Sequence, residues 1–409
     1  MHYHTIIIGA GPAGLFAAQH IGQQNKKVLL LERNEKAGKK LLISGSGQCN
    51  FTHKGDLNHY LTCYGDHAKF LRKSLSHFTY KDTIRFFGDL GVMHEVMPNG
   101  KVFPKSRQSH DVLEALIIAC QKANVTIHYN RLVTNIVSYD SVFTVEIADG
   151  KRYFCDHVIL ATGGKSYPKT GSDGQGYSLA TKLGHTITDL KPALTDVRTK
   201  EKIYSTLAGL SFQNVQMSLW REGKKIKEHT GDLLFTHKGL SGPVIIDTSR
   251  WILPNDELVI NFLYPHKLEE VKADLAQNLA SRGKEELITF LKRLHLPKSF
   301  CQLICQISHL DEHLPCAQLD RKSRETLVRL LAAHPFKVEV CGGFHLAMVT
   351  AGGVHLKEVN PSTLESRLQK GLYFIGEVLD IDGNTGGYNI QAAFSTAYIC
   401  SEAILKNKK

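Results

Sequence analysis

The feature that most constrains this chain lies close to its start, where a β-branched run, residues 4–9 (HTIIIG), ends in Gly9-Ala10-Gly11-Pro12-Ala13-Gly14. An apolar run without alternation suits a strand covered on both faces, as in a parallel sheet. The GxGxxG spacing permits a sharp turn at Gly9, close approach of a pyrophosphate to the backbone at Gly11, and tight helix–strand packing at Gly14. A helix starting near residue 12 then points its unpaired N–H groups at the phosphates. A lone GxGxxG carries little, and the context carries the argument. The helical stretch 12–22 leads into a second apolar strand, 27–31 (KVLLL), which ends in Glu32, close to the offset at which an acid accepts hydrogen bonds from a ribose. A Glu32 that merely caps a surface loop would leave the full order of strand, turn, helix, strand and acid unexplained. The segment predicts a dinucleotide site.

Two later runs decide which dinucleotide. Residues 158–164 (VILATGG) are a buried strand running into a small-residue turn that includes Ala161, Thr162 and Gly163, and residues 371–377 (GLYFIGE) are a third strand ending at Gly376 and Glu377. An NAD-binding domain usually closes within one contiguous stretch; this chain instead resembles flavin folds, with an N-terminal glycine motif plus Glu, a central ATGG strand end and a late strand followed by Gly and an acid. After Glu377 comes DIDGNTGGYNIQ, residues 380–391, and then an apolar helical stretch, 392–405. The N-terminus of that helix can present N–H groups to the pyrimidine carbonyl of a flavin, stabilising negative charge on the reduced ring. The predicted cofactor is FAD.

At 409 residues the chain is long enough for two or three domains, and its 42% apolar and 22% charged residues exclude disordered, collagen-like and coiled-coil classes. No run reaches the roughly 18 to 20 apolar residues of a membrane span, and the N-terminus enters the glycine motif instead of a signal-peptide pattern, so a cytoplasmic location is expected. Nine cysteines without a CxxC pair suit reduced thiols better than a disulfide framework. Cys301 and Cys305 have no further ligands at metal-site spacing, so no metal is expected. The net charge of +11 is concentrated: residues 36–107 hold twelve Lys or Arg against five acids. Such a segment is either a solvated surface or a track for a phosphate backbone. Its aromatics, Phe51, Tyr60, Tyr64, Phe70, Phe78, Tyr80, Phe86 and Phe87, are mostly spaced like helix core and do not count as base platforms.

Three more segments complete the pattern: residues 38–52 (GKKLLISGSGQCNFT), residues 234–243 (LFTHKGLSGP), and the stretch from Gly376-Glu377 to Gly386-Gly387-Tyr388-Asn389. With the glycine motif they resemble the three-domain bacterial flavoproteins that include aminoacetone oxidase, over nearly the whole chain. The resemblance implies an α/β fold with a Rossmann-like FAD-binding domain built from both chain ends (residues 1–190 and 352–409), a β-rich middle domain (191–264 and 335–351) and a small inserted helical domain (265–334). It also implies FAD contacts from Gly9, Gly11, Pro12, Ala13, Gly14, Glu32, Arg33, Lys40, Ser44, Gly45, Gly47, Cys49, Asn50, Val133, Ala161, Thr162, Gly163, Gly376, Glu377, Gly387, Asn389 and Ile390. One departure is Gln48, where relatives usually carry Arg; a lost guanidinium puts in doubt any substrate that depends on it.

The residues agree with that plan where they can be read. Short strands are expected at 215–220 and 257–262 with a turn at Glu222-Gly223, helices are expected around Leu268 to Leu279, Leu287 to Leu294 and Leu327 to Leu331, and strand character returns at 336–340. Flavin supplies hydride and electron chemistry, so the predicted activity is an FAD-dependent oxidoreductase. With no second GxGxxG unit, NAD(P)H would dock only transiently as reductant. The absence of a thiol pair near the flavin motifs argues against a disulfide reductase. Candidate catalytic groups are Cys49, as the acid that protonates a carbon opposite the hydride, His237 in its Gly/Ser/Pro-rich loop, and Tyr388 beside the helix start. Their alternative readings are a small buried loop residue, a loop hydrogen bond and a packing aromatic. Gly352-Gly353 after Thr350 is either a segment near the flavin or a tight returning turn.

The family so identified includes a bile-acid enone reductase, an amine oxidase and enzymes that reduce a ribosomal RNA uridine to dihydrouridine. The basic segment favours ribosomal RNA as partner. A small-molecule enone reductase or amine oxidase is the alternative, and a non-enzymatic RNA-binding protein with structural FAD is an alternative of another class.

Overall fold

The computed structural model describes residues 2–406, which form two compact units. The first joins the residues up to Ala193 with those from Phe344 onward, and the second is Leu194–Gly343. Among the described residues no helix is long and apolar enough to cross a membrane.

The first unit is built on a seven-stranded sheet whose centre is the predicted opening strand, His2–Ile8. It pairs in parallel with Val28–Leu31 on one side and with Arg152–Leu160 on the other. Thr126–His128 lies beyond Val28–Leu31, also parallel. The long strand Arg152–Leu160 is shared: its first residues pair antiparallel with the meander Val142–Ile147 and Val133–Tyr139, and its last residues pair in parallel with Leu372–Phe374. Ile8 stands opposite Leu31 and Leu160, and Leu160 opposite Phe374, so these four strands finish in register at one edge. In an open parallel sheet that edge is where ligands bind.

The helix Pro12–Gly22 starts and ends as the sequence predicts. Its buried Ala13, Ala17 and Ala18 let Tyr388–Lys406 and Ser109–Lys122 pack close, and Phe16 wedges between Phe78 and Phe86, each with ring centroids 4.9 Å away. The aromatics of the basic segment face inward: Phe51, Tyr60, Tyr64, Phe78 and Phe87 are buried, while Lys54, Lys69, Arg72, Lys73, Lys81 and Arg85 are exposed. The two short strands Lys191–Ala193 and Val349–Ala351, grouped with the middle domain from the sequence, pair with each other within the first unit.

The second unit is a closed, antiparallel, six-stranded barrel in the order Val197–Thr199, Gly239–Ser241, Lys224–Thr236, Ser211–Arg221, Glu257–Asn261 and His334–Cys341. Glu222 and Gly223 make the hairpin turn, both with positive φ. The helices Leu268–Ser281, Leu287–Arg293, Lys298–Ile307 and Arg321–Ala332 are inserted between two strands that remain barrel neighbours, Ile260 facing His334. Phe300 of the helical part packs 4.6 Å from Phe262 and 4.9 Å from Phe212, so barrel and helices share one core.

His334 sits in that core. Its Nδ1–H donates to the Leu330 carbonyl at 2.7 Å, leaving Nε2 to accept the Tyr204 hydroxyl at 2.6 Å. Burial holds the imidazole down from 6.5 to about 4. The unfolded chain takes up this proton near pH 6.5 and the folded chain only near 4, so the stability tied to neutral His334 is complete above the first value and drains away as pH falls towards the second. The loss amounts to roughly 3 kcal/mol. Urea midpoints measured across this window should fall less steeply for His334→Gln, and parallel profiles would remove His334 as the cause.

Candidate functional site

The glycine turn is closed by direct backbone approach. Gly9 has φ +105°, and a Cβ there would lie 2.6 Å from the Ala161 carbonyl oxygen; one on Gly14 would strike the Gly9 carbonyl. Gly11 faces open space instead. The helix that follows has Pro12 in its first turn, no side-chain cap and no acid, so its leading N–H groups are open to an anion. Glu32 is buried beneath this turn. Its Oε2 accepts from the Ala10 N–H at 2.8 Å, and its Oε1 accepts from the Asn34 backbone and side-chain amides at 2.9 and 2.7 Å. Asn34 also donates to the Thr170 carbonyl at 3.1 Å, and Arg33 pairs with Asp173 at 2.6 Å, tying the loop 165–174 to the same place. Val133 is buried, and its carbonyl accepts from Gln175 at 3.3 Å.

Across the strand ends, Ala161 donates its N–H to the Ile8 carbonyl, Thr162 Oγ1 is buried without a partner, and Gly163 has φ +72°. Glu377 is held by Lys40 Nζ at 2.8 and 3.0 Å and by the Thr350 N–H at 2.9 Å. Thr350 Oγ1 in turn accepts from the N–H groups of Lys165 and Ser166 at 2.8 and 3.1 Å. Thr350 is not among the site residues expected from the sequence, although the glycines behind it carry a signal: Cβ atoms on Gly352 and Gly353 would strike the backbones of Asp189 and Leu379. Gly376 donates to Thr396 Oγ1 at 3.1 Å, and a Cβ there would meet Ala13 at 3.1 Å.

The loop 44–50 is wound by left-handed residues, Gly45, Ser46, Gly47 and Cys49. Ser44 donates its hydroxyl to the Leu41 carbonyl, and its own carbonyl accepts the Cys49 N–H. Cys49 is fully buried, and burial pushes its thiol up to about 12, so it stays protonated through the neutral range. Asn50 is buried with neither amide oxygen nor amide nitrogen bonded, and a Cβ on Gly387 would collide with that oxygen. Asn389 braces the neighbouring turn, accepting from Gly383 N–H at 2.7 Å and donating to its carbonyl at 2.8 Å; Ile390 follows, partly buried. Tyr388 is buried among His53, His59, Tyr60 and Tyr64. Gln48 is exposed and accepts from Arg107 at 3.4 Å, which places a guanidinium beside the position where the sequence lacks one. His237 belongs to the second unit, exposed in the turn between Lys224–Thr236 and Gly239–Ser241.

These residues fit FAD. A buried polar group without a partner costs about 1 to 3 kcal/mol, and three such atoms belong to Asn50, against Gly387, and to Thr162, against Gly9; Gly11 is open and the helix after it is uncapped. Gly11 to Gly14 would hold the pyrophosphate, and Asn50, Thr162, Lys40 and Glu377 would meet other polar parts. When bound, FAD supplies hydride transfer.

The family described as HI0933-like protein Rossmann domain matches residues 3–403. The chain is 33% identical to the 3-dehydro-bile acid delta(4,6)-reductase of Clostridium scindens, covering 97% of this chain and 98% of that one. It is 32% identical to the ribosomal RNA dihydrouridine synthase of Haemophilus influenzae, over 98% of each chain, and 31% identical to that of Escherichia coli, over 99% of each. Among solved structures, a 3-ketosteroid-delta4-(5alpha)-dehydrogenase from Rhodococcus jostii shares the fold with TM-score 0.50 and 15% identity over 97% of both chains. A flavocytochrome c3 fumarate reductase does so with TM-score 0.50 and 14% identity over 99% of this chain and 78% of its own. With its glycine turn, its register of strand ends and its match over nearly every residue, this chain belongs to the HI0933-like family and is an FAD-dependent oxidoreductase.

Proposed function

We propose that this oxidoreductase reduces a uridine of ribosomal RNA to dihydrouridine, with NAD(P)H as its transient reductant. The observation that carries the reading is the basic surface of the helix Ala68–His77, where Lys69, Arg72 and Lys73 are exposed and, among the described residues, pair with no carboxylate, while Leu71 and Leu75 are buried. Three unpaired cations on one helix face suit a phosphate backbone. The two relatives named ribosomal RNA dihydrouridine synthase support it across their whole length. The nine free cysteines suit the cytoplasm, where that RNA is found. The relative named as a bile-acid reductase favours a second reading, a small enone. Both substrates present a C=C bond conjugated to a carbonyl, and both need a proton delivered to carbon. Cys49, His237 and Tyr388 are the candidate donors, and FAD contacts come from the residues named above, Glu32 to the ribose among them.

The test is anaerobic. The protein, reduced with NADH or NADPH, should be reoxidised by ribosomal RNA that lacks dihydrouridine, with loss of uracil absorbance. Reoxidation by a steroid enone but not by RNA would transfer the activity to the second reading, and flavin that neither pyridine nucleotide reduces would remove NAD(P)H as the reductant. Reversing charge at Lys69, Arg72 and Lys73 together should weaken RNA binding and lower the slope of log K against log salt by about 2 to 3. An unchanged slope would reduce this face to ordinary surface.

A further inference from the structure

The turn entering the last helix borders the unsatisfied amide of Asn50, and it is held from the protein surface. Gly386 and Gly387 take φ of +117° and +95°, a path that brings Gly387 against Asn50 and Tyr388 into a buried aromatic cluster. The Tyr388 ring stacks on His53 with centroids 4.7 Å apart and meets Tyr60 edge-on at 5.3 Å. His53 Nδ1 lies 3.0 Å from the Gly386 carbonyl, and Tyr64 donates to the Tyr388 carbonyl at 2.8 Å. The four rings, His53, Tyr60, Tyr64 and Tyr388, are buried. The exposed member is His59, on the short helix Leu57–Thr62, and its Nε2 lies 2.8 Å from the Tyr388 hydroxyl.

A second observation concerns the room left for that imidazole. A Cβ on Gly55 would lie 2.6 Å from His59 Cδ2, although the backbone at Gly55 is not left-handed and any residue could adopt it. The glycine therefore answers to the ring, not to the turn. Helix Leu57–Thr62 is itself fixed by Asp56, whose carboxylate accepts the His59 N–H at 2.8 Å, so backbone and side chain of His59 are both set.

We propose that His59 is a positioning residue for the flavin site: it holds the Tyr388 phenol from outside and so fixes the Gly386-Gly387 turn against Asn50, where FAD is bound. Loss of the imidazole removes this hydrogen bond and opens a path for water to the phenol. The turn then samples positions in which the Asn50 amide and the first N–H groups of the last helix no longer converge on one ligand.

The experiment uses full-length protein in apo and FAD-loaded forms, with His59→Ala, His59→Gln, Gly55→Ala, Tyr388→Phe and the His59→Ala/Tyr388→Phe pair. His59→Ala and Gly55→Ala should each weaken FAD binding by about threefold to tenfold, the range of one lost hydrogen bond, and speed amide exchange at residues 386–388. His59→Gln, which keeps a donor for the phenol oxygen, should recover most of the affinity. The double variant should be no worse than the poorer single one, because both changes cut the same link. Wild-type FAD affinity and exchange in His59→Ala and Gly55→Ala would overturn the proposal. So would additive losses in the pair, or a lowered melting temperature of the apoprotein with unchanged FAD affinity, which is what a purely structural histidine would give.

Discussion

Glu32→Ala is expected to raise the FAD dissociation constant by about two orders of magnitude or more while leaving a folded chain. Two losses combine. The carboxylate is the group at the ribose offset, and each hydrogen bond from a hydroxyl to a charged oxygen is worth about 1.5 to 3 kcal/mol. The same carboxylate holds the Ala10 N–H at 2.8 Å, in the middle of the turn proposed to admit a pyrophosphate. Removing it loosens Gly9 to Gly11 as well as the ribose end. Glu32→Gln separates the two effects, since an amide keeps one acceptor for Ala10 and loses the charge, so it should fall between wild type and alanine. Titration of apoprotein with FAD, followed by flavin fluorescence, reads both variants; wild-type affinity in Glu32→Ala would remove the ribose assignment.

The second large effect concerns the barrel. Asp256 has a side chain 2% exposed and accepts from Arg221 Nε and Nη2 at 2.8 and 2.9 Å and from the Leu253 N–H at 2.7 Å, while Arg221 also donates to the Trp251 carbonyl at 2.7 Å. The arginine side chain is 34% exposed, so the two partners are unequal. Arg221→Met strands a buried carboxylate and should destabilise the second unit by about 3 to 5 kcal/mol. Asp256→Ala leaves an arginine that can turn towards water and should cost less. Both tryptophans, Trp220 and Trp251, lie in the second unit, so their emission reports its urea unfolding while flavin release reports the first. Equal midpoints for Arg221→Met and Asp256→Ala would overturn the asymmetry.

What could be read from the sequence was whatever neighbours in the chain decide among themselves. The run before Gly9, the helix Pro12–Gly22, the acid at 32 and the hairpin turn at Glu222-Gly223 each carry their signal within a few residues, and each stands where the pattern puts it. Helices at Leu268–Ser281 and Arg321–Ala332 follow apolar spacing in the same way. Contacts between distant segments left no such trace. Thr350 bonds to Lys165 and Ser166, and His59 to Tyr388, through single side chains that no period marks. Closure of the barrel was equally hidden, because it rests on short strands such as Val197–Thr199, whose three residues show no alternation long enough to read. The dual duty of Glu32 was invisible too, since the spacing that predicts a ribose contact says nothing of the Ala10 amide.

The pairing of Arg152–Leu160 with Leu372–Phe374 sets an order of events during synthesis. The two partners are separated by about two hundred residues, and the entire second unit is translated between them. A nascent chain that has left the ribosome only as far as Gly343 holds the glycine turn and Glu32 but lacks Thr350, Glu377 and the last helix. If Glu377 and the last helix contact the flavin as proposed, cofactor capture is a late event that follows emergence of the barrel, and messages cut short before Leu372 should yield protein without colour.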